Sequence, residues 1–422
     1  ATRRLVERGH DVALIEAGSR LGGRARTVRA PFVDGQHVES GAEWVDTHHH
    51  RMRVLLDRHG LTLQGQGQQW TTIRRWLYRD GRLLSPAELD AALYRQLERF
   101  EAIVAAAADT VDDPARPHLS PKAAALDLMS LSDVSHEADL HDIALLFQSR
   151  DSQGEFAAEP HEVSLLFVAQ QRALGRASGA GEVVRAHRIS EGVDALVRGM
   201  AAEVADVITT GELLLGVEHN DDSVTITTSR RRLEADHVVL ACSLVALRRV
   251  DFAPALPALL GRAINELGYG AVTKTAVQFA DRAWAAGYAT TESVSQRLYE
   301  PTVDQPGAAG VLMSYAGGAG GRELASRTED QRLTLIEDDM RAVHRITAPS
   351  VGGFSRAWSA HPRYGGSYAV YRPGQVTEFW EVLRRPHGRV WLAGEHAATW
   401  TGYLEGAVES GECVADAILD AS

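Results

Sequence analysis

The sequence predicts an α/β fold of two domains, and three stretches of the chain indicate it. Residues 11–16 are an apolar run that ends in an acid, Glu16, as a buried strand of a dinucleotide-binding unit does. Residues 61–187 repeat apolar side chains at helical spacing. Residues 389–419 read as a short buried strand, a glycine-rich loop and a helix. The outer stretches favour a Rossmann-like domain with a mixed sheet, and the middle one favours a helical domain.

The composition restricts the class of protein. A chain of 422 residues, 45% of them hydrophobic, can bury a large core in two domains. A net charge of -12 without a basic stripe argues against nucleic acid as a partner. The two cysteines, Cys242 and Cys413, allow neither a disulfide framework nor a cysteine metal site. Because the sequence has no membrane-length apolar run and no signal-peptide pattern, we expect no membrane partner and a cytoplasmic location.

The first elements are a helix that ends near Gly9 and the strand that ends at Glu16. In a dinucleotide-binding unit, an acid at this place hydrogen-bonds the ribose of the adenosine half. The Gly-x-Gly-x-x-Gly turn and the strand that should precede this helix are not in the sequence. We therefore expect either a truncated sequence or a protein without the loop that cradles the pyrophosphate.

Three adjacent histidines, His48, His49 and His50, raise the question of a metal site. Adjacent side chains diverge, and the sequence pairs no acid or cysteine with them at ligand spacing. The sequence therefore predicts no metal.

The central part of the chain alternates between helices and strands. Helical runs are predicted over 86–108 and within 142–174, and strands over 212–217, 224–228 and 237–241. A further predicted strand places Lys274 on one face with Val272 and Ala276. An edge-strand lysine and a functional lysine are both consistent with this pattern.

The last stretch joins a strand at 390–393 to a helix that begins near Gly402. A helix N-terminus has unpaired amides and can face an electron-rich group, while Gly394, Gly402 and Gly406 let a flat ligand approach the backbone. An ordinary buried strand-turn-helix is equally consistent with the pattern.

Together, residues 21–27, 41–45, Lys274 and 358–411 resemble the flavin-containing amine oxidase family. The resemblance implies an FAD-binding domain formed by residues 1–60, 190–262 and 362–422, incomplete at its N-terminus. It also implies a helical substrate-binding domain formed by residues 61–189 and 263–361.

The same resemblance implies which residues bind FAD. Arg24 would lie along the pyrophosphate, Val217 would meet the adenine through its backbone, and Gly41 would pass the flavin ring where a larger side chain would collide with it. Animal monoamine oxidases bond the flavin through a cysteine at the position of Ser367, so we expect non-covalent FAD. The full predicted set is Glu16, Gly22, Gly23, Arg24, Gly41, Ala42, Val217, Trp358, Gly394, Glu395, Tyr403 and Leu404.

The predicted catalytic residues are Lys274, held by water to the flavin N5 in this family, and two cage walls, Tyr368 and Tyr403. The implied reaction oxidises a small amine to an imine, which is hydrolysed, while dioxygen becomes hydrogen peroxide. One alternative is an L-amino-acid oxidase, which needs an arginine that faces the flavin. Another is a polyamine or diamine oxidase, with Glu43 or an acid of the helical domain as the distal anchor. The third alternative is a truncated chain that lacks FAD and activity. The sequence leaves the oligomeric state open, and a homodimer is one possibility.

Overall fold

The computed structural model of the chain describes residues 1–69, 75–179, 183–284 and 286–421. Its helices are α1 (Thr2–Glu7), α2 (His50–Arg58), α3 (Ala91–Ala108), α4 (Ala123–Leu128), α5 (Leu131–Glu137), α6 (Asp142–Glu155), α7 (Leu165–Ser178), α8 (Val193–Ala202), α9 (Leu244–Leu247), α10 (Ala258–Glu266), α11 (Gly318–Ala325), α12 (Glu329–His344), α13 (Gln375–Phe379) and α14 (Leu404–Ala421). No helix in these ranges is long and apolar enough to cross a membrane.

The strands are short except at the centre of one sheet. They are β1 (Leu14–Glu16), β2 (Thr27–Val28), β3 (Val38–Glu39), β4 (Val45–Asp46), β5 (Trp76–Arg79), β6 (Arg82–Leu84), β7 (Ala186–His187), β8 (Ile208–Thr210), β9 (Leu214–His219), β10 (Val224–Thr228), β11 (Arg232–Ala235), β12 (Val238–Leu240), β13 (Asp251–Ala253), β14 (Gly268–Tyr269), β15 (Val272–Phe279), β16 (Tyr288–Thr291), β17 (Arg297–Tyr299), β18 (Gly310–Gly317), β19 (Ser350–Ala357), β20 (Ala369–Val370) and β21 (Val390–Leu392).

The largest sheet has seven strands in the order β19-β15-β18-β17-β16-β5-β6. Its strand β15 pairs antiparallel with β18 on one side and β19 on the other. Every residue of β15 is buried, because α12 packs against Val277 and Phe279 while residues 28–38 pack against Ala276. Lys274 therefore lies on a central strand, on the Ala276 face. The predicted strand is confirmed, and an edge position for Lys274 is excluded.

Two smaller sheets each pair a strand from near one end of the chain with a strand from its middle. β1 pairs in parallel with β8, and β12 pairs in parallel with β21, each as a two-stranded sheet. Helices α1 and α14 pack beside them through Leu5, Trp391 and Ile418. A four-stranded sheet, β11-β10-β9-β13, is not hydrogen-bonded to either pair in the described residues. The mixed α/β fold predicted from the sequence is confirmed.

The helical lobe, which we define as α3 to α7, is built on apolar stripes. Asp90 begins α3 by accepting a hydrogen bond from the amide of Ala92 at 2.7 Å, and Phe100 and Val104 face the interior. One cluster of buried side chains continues from this lobe through α13 to β9, β12 and β21. The bounds of the two predicted domains stay a prediction.

Candidate active site

A cavity of about 2840 Å³ runs from the carboxyl end of β1 to the helical lobe. Pockets for small molecules usually measure about 300–1,000 Å³, so this cavity has room for a long cofactor and a second ligand. Every predicted site residue except Val217 lines it. Glu16 therefore lines the same cavity as Trp358 and Leu404, which lie more than 300 positions after it in the chain.

Val217 is not among the residues that line the cavity, and its contact with the adenine stays a prediction. Its side chain is completely buried, and its backbone sits in the four-stranded sheet between Ile226 of β10 and Phe252 of β13. In this part of the chain, residues 212–215 line the cavity instead.

Arg24 and Glu395 form a buried clip across the cavity wall. One guanidinium nitrogen of Arg24 donates to a Glu395 carboxylate oxygen at 2.8 Å and to the carbonyl of Ser367 at 2.6 Å. The same carboxylate accepts from the amides of Ala369 and Gly402, at 3.2 and 3.1 Å. Burial opposes the charge of Arg24, but Glu395 raises its pKa above the ordinary value. Glu395 thus acts by holding Arg24 and the turn before α14 in place.

The packing of the protein backbone requires a glycine at position 41. A Cβ at this position would lie 1.8 Å from the carbonyl oxygen of Arg24 and 3.0 Å from the Trp358 ring. The indole of Trp358 also donates to the carbonyl of Ser40 at 2.6 Å. The backbone contact with Arg24 explains the glycine without any ligand, whereas the sequence prediction attributed it to the flavin ring.

Lys274 is held by three oxygen atoms. Its ammonium donates to the carbonyls of Glu39 and Gly41, at 3.2 and 2.9 Å, and to the Glu43 carboxylate at 2.7 Å. Lys274 is 3% exposed and Glu43 is 5% exposed. Sequence reasoning found Lys274 but missed this ion pair, because the two residues are 231 positions apart.

Glu43 is the centre of a wider network. The Tyr299 hydroxyl and the Arg188 guanidinium each donate to its carboxylate at 2.6 Å. Burial raises the pKa of Glu43, but Lys274 and Arg188 outweigh burial and lower the pKa to about 2. Glu43 is therefore a carboxylate at any ordinary pH. No sequence pattern marked Tyr299 as part of the site.

The two predicted cage tyrosines lie in the same region of the cavity. The Tyr368 hydroxyl forms a hydrogen bond of 2.9 Å with that of Tyr315 and donates to the carbonyl of Glu155 at 3.0 Å. The Tyr403 ring packs edge-on against His49, with centroids 5.3 Å apart. Burial raises the pKa of both phenols well above the ordinary value, so both are neutral. Their parallel arrangement stays a prediction.

Asp46, His48 and His49 converge behind Tyr403, which the sequence did not predict. The Asp46 carboxylate lies 3.9 Å from Nε2 of His48 and 3.8 Å from Nε2 of His49. However, Nδ1 of His49 accepts from the Asp46 amide at 3.0 Å, so the neutral ring carries its proton on Nε2. That nitrogen has no lone pair to offer a metal, and two ligands remain. The assignment of no metal stays a prediction.

The helical lobe adds charged groups to the cavity. Arg172 pairs with Glu101 at 3.3 Å, and Arg297 pairs with Asp151 at 2.6 Å. The side chain of Glu155 is exposed to the cavity and forms no ion pair with any side chain in the described ranges. The cavity is enclosed by protein, and this desolvation raises the pKa of the Glu155 carboxyl above its ordinary value.

The residues present fit a flavin dinucleotide. Glu16 lies at the carboxyl end of β1 and lines the cavity, as do Gly22, Gly23 and Arg24. The hydroxyl of Ser367 is buried in the wall without a hydrogen-bond partner in the described structure. A buried, unpartnered hydroxyl at a cavity surface indicates a place where a ligand makes contact.

Comparisons with known proteins agree with this geometry. The family model described as flavin containing amine oxidoreductase matches residues 1–419. The flavin-containing amine oxidase of Danio rerio is 24% identical over 98% of this chain and 82% of its own length. L-amino acid oxidase Bs29 of Bothriechis schlegelii is 24% identical over 96% of this chain and 85% of its own. The solved structure of cyclohexylamine oxidase from Brevibacterium oxydans IH-35A superposes with a TM-score of 0.84 at 23% identity, over 99% of this chain and 95% of that one.

Proposed function

Because the chain belongs to the flavin containing amine oxidoreductase family, we propose that it oxidises a primary or secondary amine to an imine on non-covalently bound FAD, with dioxygen as the electron acceptor. The chain is a flavin-dependent oxidoreductase that acts on small-molecule amines. The observation that carries the finer proposal is the single cavity that joins Glu16 and Arg24 to Lys274, Tyr368 and Tyr403.

The chain supplies binding and orientation. Glu16 and Arg24 would hold the ribose and pyrophosphate, while Gly41 and Trp358 would border the flavin ring. The neutral, electron-rich faces of Tyr368 and Tyr403 would hold an amine between them. When bound, the flavin accepts hydride from the carbon next to the amine nitrogen and returns the electrons to dioxygen.

The side chain at position 367 supports non-covalent binding. A serine hydroxyl is a much weaker nucleophile than a thiolate and does not form the thioether by which a cysteine would hold the flavin. Cys242 lines the cavity, and burial raises its pKa to about 11, so its thiol stays protonated and unreactive.

The first test is the visible spectrum of the purified protein, before and after amines are added without oxygen. We expect a flavin band that survives desalting, is released as FAD by denaturing filtration, and bleaches with an amine. A colourless protein that stays colourless with added FAD would contradict the proposal. Release of FMN, or retention of the flavin after denaturation, would contradict its finer part.

A second candidate is the oxidation of a diamine, which Glu155 favours. Glu43 cannot anchor a distal amine because Lys274, Arg188 and Tyr299 already occupy its carboxylate. Glu155 is the acid of the helical lobe beside Tyr368 that carries no ion pair in the described structure. A second ammonium group could pair with it inside the cavity.

The diamine candidate is tested by comparing a diamine with a monoamine of equal length. If Glu155 is the anchor, Glu155→Gln should lower kcat/KM for the diamine by about 10- to 100-fold and leave the monoamine nearly unchanged. Glu101→Gln is the matched control, because Glu101 also lines the cavity but pairs with Arg172. Equal losses for both amines would exclude Glu155 as the anchor.

Amino-acid oxidation has less support. It needs an arginine that can receive the substrate carboxylate, and the candidates in the helical lobe and its neighbouring sheet, Arg172 and Arg297, are each paired with an acid of the chain. A substrate carboxylate would have to displace Glu101 or Asp151 from these pairs.

A further inference from the structure

Glu43 binds two cationic side chains and a tyrosine of the cavity wall through one carboxylate. Its two carboxylate oxygens accept three hydrogen bonds of 2.6 to 2.7 Å, from Lys274, Arg188 and Tyr299. These partners come from three distant parts of the chain, and Glu43 itself follows Ala42 and precedes Trp44 in the sequence. Arg188 in turn covers Trp44, with its guanidinium 4.0 Å from the ring centroid.

The bonding of Lys274 leaves its ammonium group no spare proton. An ammonium has three N–H groups, and Lys274 directs its own to three acceptors at 2.7 to 3.2 Å. Two of the acceptors are neutral carbonyls, and only Glu43 carries a charge. The position of the lysine and its charge in a buried wall therefore both depend on one carboxylate.

From this geometry we propose that Glu43 is the positioning residue of the active-site lysine: its carboxylate keeps Lys274 charged and fixed against the backbone of residues 39–41. The proposal rests on the function proposed above for the same site. With Arg188, the three groups carry a net charge of +1 beside the wall where the flavin is expected. A fixed positive charge there would favour negative charge on a bound group.

The loss of the carboxylate has a specific consequence for Lys274. Its remaining charged and titratable neighbours are Glu39, Arg188, Tyr299 and Tyr315, and the side chain of Glu39 is turned away, towards Thr27 and the amide of Val193. Lys274 would then face the guanidinium of Arg188 without a bonded anion. Burial without a bonded anion disfavours the charged form of a lysine.

The test compares Glu43→Gln with the unchanged protein by titrating the visible spectrum of the bound flavin. We expect Glu43→Gln to show a new transition at or below about pH 8, absent from the parent protein. Glu43→Gln/Lys274→Met should abolish that transition, and Glu43→Asp should largely restore the parent behaviour. Glu39→Gln is the matched control and should show no such transition, since the Glu39 side chain does not bind Lys274.

Folding provides a second measurement if Glu43→Gln loses the flavin. Removal of one member of a buried ion pair is costly, whereas removal of both is much less so. If circular dichroism shows that Glu43→Gln is unfolded and the double variant is folded, the proposal is supported. An unchanged titration in Glu43→Gln, or a double variant as unfolded as the single one, would overturn it. Bleaching of the parent protein by amine would still support the amine oxidase function in that case.

Discussion

Three acids within eight residues, Glu39, Glu43 and Asp46, show that partners decide the charge of a buried carboxyl. Glu39 and Glu43 are buried and Asp46 is half-buried, and burial alone raises a carboxyl pKa. Glu43 has two bonded cations, and its pKa falls to about 2. At Glu39 and Asp46, burial raises the pKa to about 7. The hydrogen bonds to Glu39 come from neutral donors and do not offset burial, and the charge of Glu155 adds to the effect of burial at Asp46. One short segment therefore holds one acid whose pKa is lowered and two acids whose pKa is raised.

Asp46→Asn should remove a pH dependence of stability. A carboxyl with a raised native pKa keeps its proton in the folded state while the unfolded state has lost it, so stability falls as pH rises from about 4 to about 7. The variant lacks this loss. We expect it to gain of the order of 2 kcal/mol relative to the parent between pH 5 and pH 8, measured by urea unfolding. Glu39 titrates in both proteins and cancels in the comparison, and equal slopes would contradict the assignment for Asp46.

The two cage tyrosines should respond differently to the loss of a hydroxyl. Tyr368→Phe removes hydrogen bonds to Tyr315 and to the carbonyl of Glu155 and should cost about 1 kcal/mol of stability for each. Tyr403→Phe should be nearly silent, because its ring supplies the contacts seen in the structure, with His49 and Trp400. Alanine at either position should lower kcat/KM for a small amine by about 2- to 30-fold. A loss of activity in Tyr403→Phe as large as in Tyr403→Ala would show that the hydroxyl, not the ring, contacts the substrate.

At the scale of elements, the turn at Gly41 and the helix α10 offer a matched pair of glycines. Gly41→Ala places a methyl group 1.8 Å from the carbonyl of Arg24, so the two segments must separate and the thermal midpoint should fall sharply. Gly261 lies inside α10, where a Cβ meets nothing within 4 Å. Gly261→Ala should therefore stabilise the protein by about 0.5–1 kcal/mol. Differential scanning calorimetry distinguishes them, and a tolerated alanine at position 41 would mean that these segments can part without cost.

The elements themselves could largely be predicted from the sequence. Apolar periodicity is local, so the presence of α3, α6, α7 and α14 and of the strand that carries Lys274 follows from short windows, although the run predicted over 86–108 begins five residues before α3. The central position of that strand does not, because it depends on pairing with β18 and β19. Two-residue strands such as β2 and β3 also escape prediction, since only the pairing partner defines them.

The candidate site was predictable where a residue type is tied to a motif, and not where a contact spans the chain. Arg24 was found in its glycine-rich segment, but its bond to Glu395, 371 positions away, could not be inferred. Glu395 was predicted to meet the cofactor, and its carboxylate turned out to be occupied by three groups of the protein. The contact of Val217 with the adenine stays a prediction, because a backbone contact has no residue signature and only the place of Val217 in the strand supports it.

At the scale of the whole molecule, separate pieces of secondary structure meet around the cavity. The β1–β8 pair, the β12–β21 pair, the seven-stranded sheet and the helical lobe each contribute to its wall. A ligand that fills the space contacts all of them at once. Ligand binding and the stability of the native state should therefore be strongly coupled in this protein.

This coupling can be measured as a shift in thermal midpoint on adding FAD to the flavin-free protein. At a free concentration about a hundredfold above Kd, binding to the native state alone contributes about 3 kcal/mol, which in a chain of this length is a rise of roughly 3–6 °C. Arg24→Met should reduce the shift, because it removes a cation that faces the cavity and frees Glu395 from its clip. Gly261→Ala, remote from the cavity, should leave the shift unchanged. No shift in the thermal midpoint of the parent protein at this concentration would contradict binding of FAD to the native state.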